Sequence, residues 1–328
     1  MKFLQAILLI LFASYAWAAK KTSTGQVPPA GFIQLQGFKA LDIGCGSEGD
    51  VCAVGTDHLL YCYDFNNDKW DQIPLPEEIS NVTAVDVDDD GKIYIVAECG
   101  IFFLDCNDKW VRLPGSGRDI GVGANFDVYK IGNDLGSSGD NDYIRYIGNS
   151  TGSNGTGGNT TNGNSHYGVW KLFCECDCNC ICTRQCLRFR RFTFNICEVL
   201  KKKCYWFRAG VFCVAVDVFP NGDAAVVDKD GHIYIVNGLT FDVVQISDLP
   251  NNLNAIDVTV GNNGVLYVNA SNGKIYSYNF GNNTYTLVTS VPSYNINSQR
   301  ICASAYDLLW FVDNTSRVTT SARYGYIG

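Results

Sequence analysis

Histidine is scarce in this chain, with three among 328 residues. His58, His166 and His232 lie in unrelated predicted turns, and no two of them have the spacing of a metal-binding pair. The Gly-x-Ser-x-Gly motif that positions the nucleophile of many hydrolases is absent as well. We therefore predict that the protein is not an enzyme and uses neither a metal nor another cofactor. A hydrolase whose carboxylates are scattered along the chain is the weaker alternative.

Positive charge and long apolar runs are also in short supply. The 25 Lys and Arg residues face 33 Asp and Glu residues, which gives a formal net charge of −8. Nucleic-acid binders owe much of their affinity to cationic side chains that neutralise phosphates, so no nucleic-acid partner is predicted. After the N-terminal segment no stretch approaches the roughly 20 apolar residues that cross a bilayer, so no membrane span is predicted.

The N-terminal segment contains the one long apolar run. Lys2 precedes the apolar stretch 3–12, and Ala16-Trp17-Ala18 follows it with the small residues of a cleavage site. This order is typical of a secretory signal peptide. We expect residues 1–18 to be a signal peptide, residues 19–30 to be a linker, and the mature protein to be secreted and extracellular.

Acceptor triplets for N-linked glycans agree with secretion. Asn-x-Ser/Thr triplets are modified in the secretory pathway, and several in this chain fall in predicted turns. The seven predicted glycosylation sites are Asn81, Asn149, Asn154, Asn159, Asn269, Asn282 and Asn314.

Fifteen cysteines predict disulfide bonds, because the secretory route is oxidising. Eight of them lie in the segment 174–205, the Cys-rich knob, which is too short to fold by burying apolar side chains alone. A thiolate metal site is the alternative there, but structural zinc sites usually use Cys-x2-Cys pairs. The cysteines predicted to form disulfides are Cys174, Cys176, Cys178, Cys180, Cys182, Cys186, Cys197, Cys204 and Cys213. Because fifteen is odd, either one thiol stays free or one bridge joins two molecules.

The Cys-rich knob is also basic, although the whole protein is acidic. It contains the basic runs 188–191 and 201–203. A surface of this charge predicts docking to an anionic partner, or self-association with an acidic face of another copy. A solvated cationic loop explains the same residues.

A sequence pattern of about forty residues recurs along the chain. Each copy has an Asp followed by a β-branched residue, a turn containing Asn, Asp or Gly, an Ile/Val-Tyr strand, and an aromatic residue near its end. The clearest copies start at Ala40 and Ala84, and weaker copies start at Arg118, Ala215 and Ala255. Short strands and turns repeated at this period predict a β-propeller.

Counting the repeats predicts an all-β fold, a six-bladed β-propeller of four-stranded blades over residues 31–328. The last copy has three strands, and residues 31–37 have the pattern of the missing outer strand. We therefore expect the N-terminal strand to close the ring, since closure removes free sheet edges.

Two insertions interrupt the repeat. Residues 150–165 are almost entirely Gly, Asn, Ser and Thr, which predicts a flexible glycosylated loop between the third and fourth strands of blade three. The disulfide-rich insertion, the Cys-rich knob at 174–205, is expected between the outer strand of blade three and the inner strand of blade four.

Two residue types recur at equivalent positions of the repeat. The aspartates of the inner strands are expected around the central axis, where they either hold a ligand or accept hydrogen bonds from the neighbouring blade. The tryptophans, expected on the outermost strands, either pack between blades or stack on sugar rings. The candidate ligand-binding residues are Trp70, Trp110, Trp170, Asp42, Asp86, Asp119, Asp217 and Asp257.

The run 86–91 begins like a calcium-binding loop, with alternating carboxylates and a Gly at the sixth position. Its twelfth position is Ala97, where such a loop needs a bidentate Glu, and a strand pattern follows instead of a helix. We therefore predict a β-turn here and no metal site.

The repeat resembles that of the tectonin-type β-propeller family. The closest match is WVRLPG at 110–115 with RDIGVG at 118–123, followed by Asp42-Ile43-Gly44 with Trp70. The resemblance covers residues 31–323 outside the two insertions. It implies a secreted, lectin-like protein of the cell surface or extracellular matrix, with glycans or glycoconjugates as partners. A structural subunit of an extracellular coat or filament, joined through the Cys-rich knob, is the alternative.

Overall fold

The chain folds into antiparallel β-strands. The computed structural model describes residues 32–47, 49–105, 107–123, 127–132, 168–174, 204–288, 298–305 and 308–321. Apart from short 3-10 turns such as Pro250–Asn252, the regular elements in these ranges are strands. The described ranges contain no helix long and apolar enough to cross a bilayer. The prediction of an all-β fold is therefore confirmed for this part of the chain.

The strands are numbered in chain order. They are β1 (Phe32–Cys45), β2 (Val51–Gly55), β3 (Leu60–Asp64), β4 (Lys69–Gln72), β5 (Val82–Val87), β6 (Ile93–Ala97), β7 (Gly100–Leu104), β8 (Trp110–Leu113), β9 (Asp119–Val122), β10 (Val128–Gly132), β11 (Gly168–Cys174), β12 (Cys204–Val218), β13 (Ala224–Asp228), β14 (Ile233–Val236), β15 (Val243–Gln245), β16 (Ala255–Val260), β17 (Leu266–Ala270), β18 (Ile275–Asn279), β19 (Thr284–Leu287), β20 (Ser298–Ser304), β21 (Leu308–Asp313) and β22 (Arg317–Ser321).

The strands form four sheets. Two sheets are four-stranded meanders, β5-β6-β7-β8 and β16-β17-β18-β19. The other two have seven strands, in the orders β20-β21-β22-β1-β2-β3-β4 and β15-β14-β13-β12-β11-β10-β9. Asn, Asp and Gly residues with positive φ occupy many of the connecting turns, where L-residues with larger side chains are strained.

One long strand joins the two halves of each seven-stranded sheet. Residues 32–34 of β1 pair with β22, and residues 40–45 of the same strand pair with β2. In the other sheet, β12 pairs with β11 from Cys204 to Phe212 and with β13 from Cys213 to Val218. Each long strand therefore ends one meander and begins the next.

The first strands of successive meanders lie side by side. β1 contacts β5, β5 contacts β9, β9 contacts β12, β12 contacts β16, β16 contacts β20, and β20 contacts β1. Glycine permits the closest of these approaches. A Cβ atom on Gly44 of β1 would lie 2.5 Å from the carbonyl oxygen of Val85 on β5, and one on Gly121 of β9 would lie 2.8 Å from that of Val216 on β12.

The apolar core is divided into layers between neighbouring sheets. One layer packs Val54 and Leu60 of the first meander against Ile95 and Phe102 of the next. Strands such as β2, β6 and β17 are buried along their whole length, because both of their faces are covered. This explains why their sequences are continuous apolar runs rather than alternating ones.

Two disulfides involve cysteines that the sequence analysis left unassigned. Cys45 of β1 is bonded to Cys302 of β20, across a sequence separation of 257 residues, and Cys52 of β2 is bonded to Cys62 of β3. Most of the Cys-rich knob, 175–203, lies outside the described residues. The strand register does place Cys174 opposite Cys204 at the base of the knob.

The structure corrects the position of both insertions. The strands of the third meander follow one another as β9, β10, β11 and the first part of β12. The loop 150–165 lies outside the described residues, and it joins the second and third of these strands rather than the third and fourth. The Cys-rich knob joins β11 to its direct partner β12 instead of linking two meanders. The sequence gives no sign of this arrangement, because β12 continues without a turn from one meander into the next.

Candidate functional site

The five repeated aspartates converge on one small cavity at the centre of the described structure, the central cavity. Its volume is about 30 Å³, room for one or two water molecules and too little for a sugar ring. Arg300 of β20 also lines it. The aspartates that line it are Asp42 of β1, Asp86 of β5, Asp119 of β9, Asp217 of β12 and Asp257 of β16.

Each aspartate ties its own strand to the next one around the centre. One carboxylate oxygen accepts a hydrogen bond from the following residue's N–H, as in Asp86 to Val87 at 2.9 Å. The other oxygen accepts a hydrogen bond from an N–H on the neighbouring first strand. These inter-sheet bonds join Asp42 to Val85 at 2.8 Å, Asp86 to Val122 at 2.7 Å, Asp217 to Val260 at 2.7 Å and Asp257 to Ile301 at 2.9 Å.

Burial makes the side chains of these five aspartates weaker acids than an aspartate in water. Loss of solvation raises the pKa of Asp42 to about 7 and that of Asp217 to about 6. Burial also raises the pKa of Asp86, Asp119 and Asp257, and repulsion from neighbouring aspartates raises those of Asp86 and Asp257 further. The five carboxyl groups therefore hold their protons more tightly in the folded protein than in the unfolded chain.

Arg300 offsets part of the repulsion. Its Nε lies 3.5 Å from Oδ1 of Asp42, and its Nη1 lies 3.8 Å from Oδ1 of Asp257. Burial works to lower the pKa of Arg300, but the surrounding carboxylates, Asp119 first, raise it above its ordinary value. Arg300 directly follows the register irregularity of its strand, the position that Asp42 and Asp257 have in theirs, whereas Asp86 and Asp217 lie two residues further along their strands.

The contacts of the five aspartates indicate a structural role. The carboxylate oxygens accept backbone hydrogen bonds, and among the described residues no three His, Cys, Asp or Glu side chains are placed to hold a metal ion. A ligand role for the aspartates remains a prediction.

The structure corrects the prediction that Trp170 lies on an outermost strand. Trp170 is on β11, between β10 and β12, and its side chain is 3% exposed. Its Nε1 donates a hydrogen bond of 3.3 Å to the carbonyl oxygen of Gly132. A ring buried in this way has no face for a sugar.

Trp70 and Trp110 do lie on the fourth strands of their meanders, but both are held by packing. The Trp70 ring stacks on Phe38 with centroids 4.5 Å apart, and it meets the edge of Tyr63 at 5.2 Å. Trp110 Nε1 donates a hydrogen bond of 3.1 Å to the carbonyl oxygen of Pro74 in the preceding meander. Trp70 also meets Trp310 of the last repeat at 6.3 Å, so both tryptophans pack against a neighbouring repeat, one of the two roles considered for them.

Two exposed aromatic turns were not predicted from the sequence. The first, residues 61–70, reads YCYDFNNDKW, and the second, residues 276–285, reads YSYNFGNNTY. The exposed aromatics at their tips are Phe65, 43% exposed, and Phe280, 47% exposed. The repeated Tyr-x-Tyr-Asp/Asn-Phe pattern was the signal that could have revealed them.

The two turns have the same internal geometry. Phe65 meets Tyr63 edge-on at 5.0 Å, and Phe280 meets Tyr278 edge-on at 4.9 Å. The hydroxyl of the same tyrosine donates to the side chain of a residue with φ near +55°, Asp68 in the first turn and Asn283 in the second. Each turn therefore holds a partly exposed aromatic ring among polar side chains, which are amides and carboxylates in the first turn and amides in the second.

The predicted glycosylation sites differ in accessibility. Asn81, Asn282 and Asn314 are exposed, whereas Asn149, Asn154 and Asn159 lie outside the described residues. Asn269 is fully buried in β17. An oligosaccharide on Asn269 would prevent β17 from packing, so the structure argues against this predicted site.

Comparison with known proteins identifies the fold. No protein-family model and no curated protein sequence matches the chain. A virginiamycin B lyase from Staphylococcus aureus aligns over 90% of this chain and 99% of its own, with a TM-score of 0.52 and 12% identity. A gluconolactonase from Xanthomonas campestris aligns over 90% of both chains, with a TM-score of 0.56 and 10% identity. The β-propeller domain of Cps50 from Myceliophteria thermophila aligns over 90% of this chain and 100% of its own, with a TM-score of 0.51 and 9% identity.

These likenesses, together with the radiating meanders, establish a β-propeller fold. At such low identity they carry no information about activity. Two of the three are named as enzymes, so the fold does not decide between catalysis and binding. None of the three is a tectonin, and the tectonin resemblance remains a prediction.

Proposed function

We propose that this protein is a secreted, non-catalytic β-propeller that binds carbohydrate in the manner of a lectin. Its disulfides fit an oxidising, extracellular setting. The signal-like segment 1–18 and the exposed Asn-x-Ser/Thr triplets support the same route.

The architecture that we propose is a closed ring of six four-stranded blades. Dividing the long strands β1 and β12 between neighbouring meanders assigns every described strand to a set of four. The pairing of residues 32–34 with β22 supports closure by the N-terminal strand, as does the contact of β20 with β1. The disulfide between Cys45 and Cys302 supports it too, because it links the first and last repeats covalently.

The observation that supports sugar binding best is the first aromatic turn. Phe65 is 43% exposed, and Tyr63 and Trp310 fix its ring by edge contacts at 5.0 and 5.9 Å. The apolar C–H face of a hexose loses water when it covers such a ring, and nearby polar groups bond its hydroxyls. Exposed Asn66 and Lys69 lie on the same turn. We therefore propose Phe65 as the sugar-binding residue instead of its neighbour Trp70, whose ring is packed.

A glycan array probed with the secreted protein tests this function. We expect binding to at least one sugar class, and a loss of at least about tenfold in affinity for Phe65→Ala, which corresponds to about 1.4 kcal/mol. The matched control is Leu239→Ala, which removes an exposed apolar side chain, 89% accessible, on another meander. Trp110→Ala is expected to lower the melting temperature rather than the sugar affinity. Absence of binding to every sugar class would contradict the proposal.

A second candidate, a subunit of an extracellular coat or filament, is favoured by one observation. Cys99 is exposed and forms no disulfide within the described part of the chain. An exposed thiol in an oxidising compartment can bridge two copies. Reductant-sensitive oligomers of the secreted protein that disappear with Cys99→Ser would support this candidate, and a strictly monomeric secreted protein would contradict it.

A further inference from the structure

We propose that Asn282 carries an N-linked glycan whose first sugar packs against the exposed ring of Phe280. The proposal rests on the secretory route of the proposed function, and it is independent of sugar binding by the first aromatic turn. It singles out one site among the seven acceptor triplets and gives Phe280 a role.

The second aromatic turn contains both residues. Asn279 pairs with Thr284, so residues 280–283 form a four-residue connection between β18 and β19. The N–H of Gly281 donates to Oδ1 of Asn279 at 2.8 Å, and Asn283 has a φ of 55°. Phe280 and Asn282 are two residues apart in this tight turn, so their Cα atoms are at most about 7 Å apart.

Thr284 forms a hydrogen bond to the side-chain amide of Asn282, the acceptor of the glycan. Its hydroxyl donates a hydrogen bond of 2.6 Å to Oδ1 of Asn282, and both side chains are exposed. With Oδ1 engaged in this way, Nδ2 is the atom of the amide that is left for modification. In the reaction, Nδ2 loses a proton and bonds to the anomeric carbon of an oligosaccharide carried on a lipid diphosphate. The bond from that carbon to the diphosphate oxygen breaks, and the lipid diphosphate leaves.

Phe280 provides a fixed apolar surface beside the attachment point. Its ring contacts Tyr278 at 4.9 Å and Phe219 at 5.9 Å, yet 47% of the residue is exposed. A sugar linked to Asn282 covers this surface without the loss of translational freedom that a free sugar suffers on binding. The glycan therefore stabilises the turn by removing apolar area from water.

The other exposed triplets lack such a surface. The residue two positions before Asn81 is Ile79, which is buried. The residue two positions before Asn314 is Val312, which is also buried. Among the acceptors that the structure describes, Asn282 alone has an exposed aromatic ring at this offset.

The first aromatic turn supplies a control within the same chain. Asn67 takes the place of Asn282 and Phe65 that of Phe280, but Lys69 stands where the acceptor hydroxyl of Thr284 is needed. The same turn therefore occurs once with an acceptor triplet and once without. Lys69→Thr creates the missing triplet, and Thr284→Lys removes the existing one.

The test uses the full chain secreted from a eukaryotic cell line. Glycopeptide mass spectrometry is expected to find Asn282 occupied in the natural sequence and empty in Thr284→Lys. Lys69→Thr is expected to gain a glycan at Asn67. Enzymatic removal of all N-glycans is expected to lower the melting temperature by about 2 °C more in the natural sequence than in Phe280→Ala, because the glycans elsewhere are common to both.

Two results would overturn the proposal. One is an empty Asn282 in secreted protein that carries a glycan at Asn81 or Asn314. The other is an equal effect of deglycosylation on the natural sequence and on Phe280→Ala. If Phe280→Ala is not secreted, Phe280→Leu replaces it, since leucine keeps the apolar volume without the flat ring. A chain that never enters the secretory pathway overturns the proposal together with the secretory part of the proposed function, whereas a blank glycan array contradicts sugar binding alone.

Discussion

Oδ2 of Asp42 accepts a hydrogen bond of 2.8 Å from the N–H of Val85, which lies 43 residues later on the next first strand. The same separation of 43 residues recurs between Asp217 and Val260. The equivalent bonds of Asp86 to Val122 and of Asp257 to Ile301 span 36 and 44 residues, so each of these bonds joins one repeat of the sequence to the next. Because both partners are buried, the bond holds adjacent first strands in a fixed register around the central cavity.

Removing the Asp42 acceptor is expected to destabilise the fold. Asp42→Ala leaves the buried N–H of Val85 without an acceptor, which costs about 2 kcal/mol of unfolding free energy. Asp42→Asn keeps a carbonyl oxygen in the same place and is expected to cost much less. Urea unfolding followed by tryptophan fluorescence measures both. Equal losses in the two variants would mean that the charge of Asp42, rather than its hydrogen bond, stabilises the protein.

Stability is expected to fall as pH rises from 4 to 7. Burial raises the pKa of Asp42 to about 7 and that of Asp217 to about 6, from an ordinary value of 3.8. Between these values the folded state binds more protons than the unfolded state, so the unfolding free energy decreases with rising pH. The stability contribution is fully present below the unfolded pKa and is lost as pH passes through the folded pKa. The melting temperature should therefore be higher at pH 5 than at pH 8.

Asp42→Asn isolates the carboxyl in that experiment. His232, whose pKa is raised by its hydrogen bond to Asp228, changes stability with the same sign and is left intact. The variant should show a smaller difference in melting temperature between pH 5 and pH 8. An unchanged difference would assign the pH dependence to other groups.

The disulfide between Cys45 and Cys302 is expected to contribute more than the one between Cys52 and Cys62. It closes a loop of 257 residues, against 10 for the other. On the chain-entropy model the corresponding contributions are about 5.5 and about 2.7 kcal/mol. Differential scanning calorimetry of the two double variants, each with both cysteines of one pair changed to Ala, compares them. A larger loss for the Cys52 and Cys62 pair would contradict the proposed role of Cys45 and Cys302 in closing the ring.

Gly44→Ala is expected to be poorly tolerated. The new methyl group would lie 2.5 Å from both the carbonyl oxygen of Val85 and the Cα of Asp86, and backbone atoms cannot move aside as a flexible side chain does. The first strands must separate, at a cost of about 3 kcal/mol. Gly117→Ala is the control, because its nearest neighbour would be 3.3 Å away. Comparable urea midpoints for the two variants would show that the strands tolerate the separation.

Part of this structure could be read from the residues in order. The recurring Asp and the turns of Asn, Asp and Gly predicted antiparallel meanders, because such turns reverse a strand locally and the period of the pattern is that of one meander. The segment 86–91 enters a turn that leads into β6, as expected from its missing ligand at Ala97. By contrast, the third meander was misassigned, since β12 runs without a break through two meanders and gives no local signal of the boundary.

The candidate site was less predictable than the fold. The recurring tryptophans were expected either to pack between blades or to stack on sugar rings, and whether an aromatic ring faces solvent depends on the neighbouring sheet. Trp170 and Phe65 are both aromatic residues of the repeats, yet Trp170 is 3% exposed and Phe65 is 43% exposed. Phe65 stays partly exposed because Tyr63 and Trp310 contact its ring only by edges, and these contacts are visible only in the folded structure.

The sequence alone determined the all-β architecture, the repeat, and the aspartates as recurring elements, because these depend on local turn chemistry and on a fixed period. The tertiary structure decided which cysteines meet in the two disulfides, that Arg300 stands among the carboxylates, and that Asn269 is buried while Asn282 is exposed. These features join or separate residues across neighbouring sheets. They depend on how the meanders pack against one another, which no local pattern encodes.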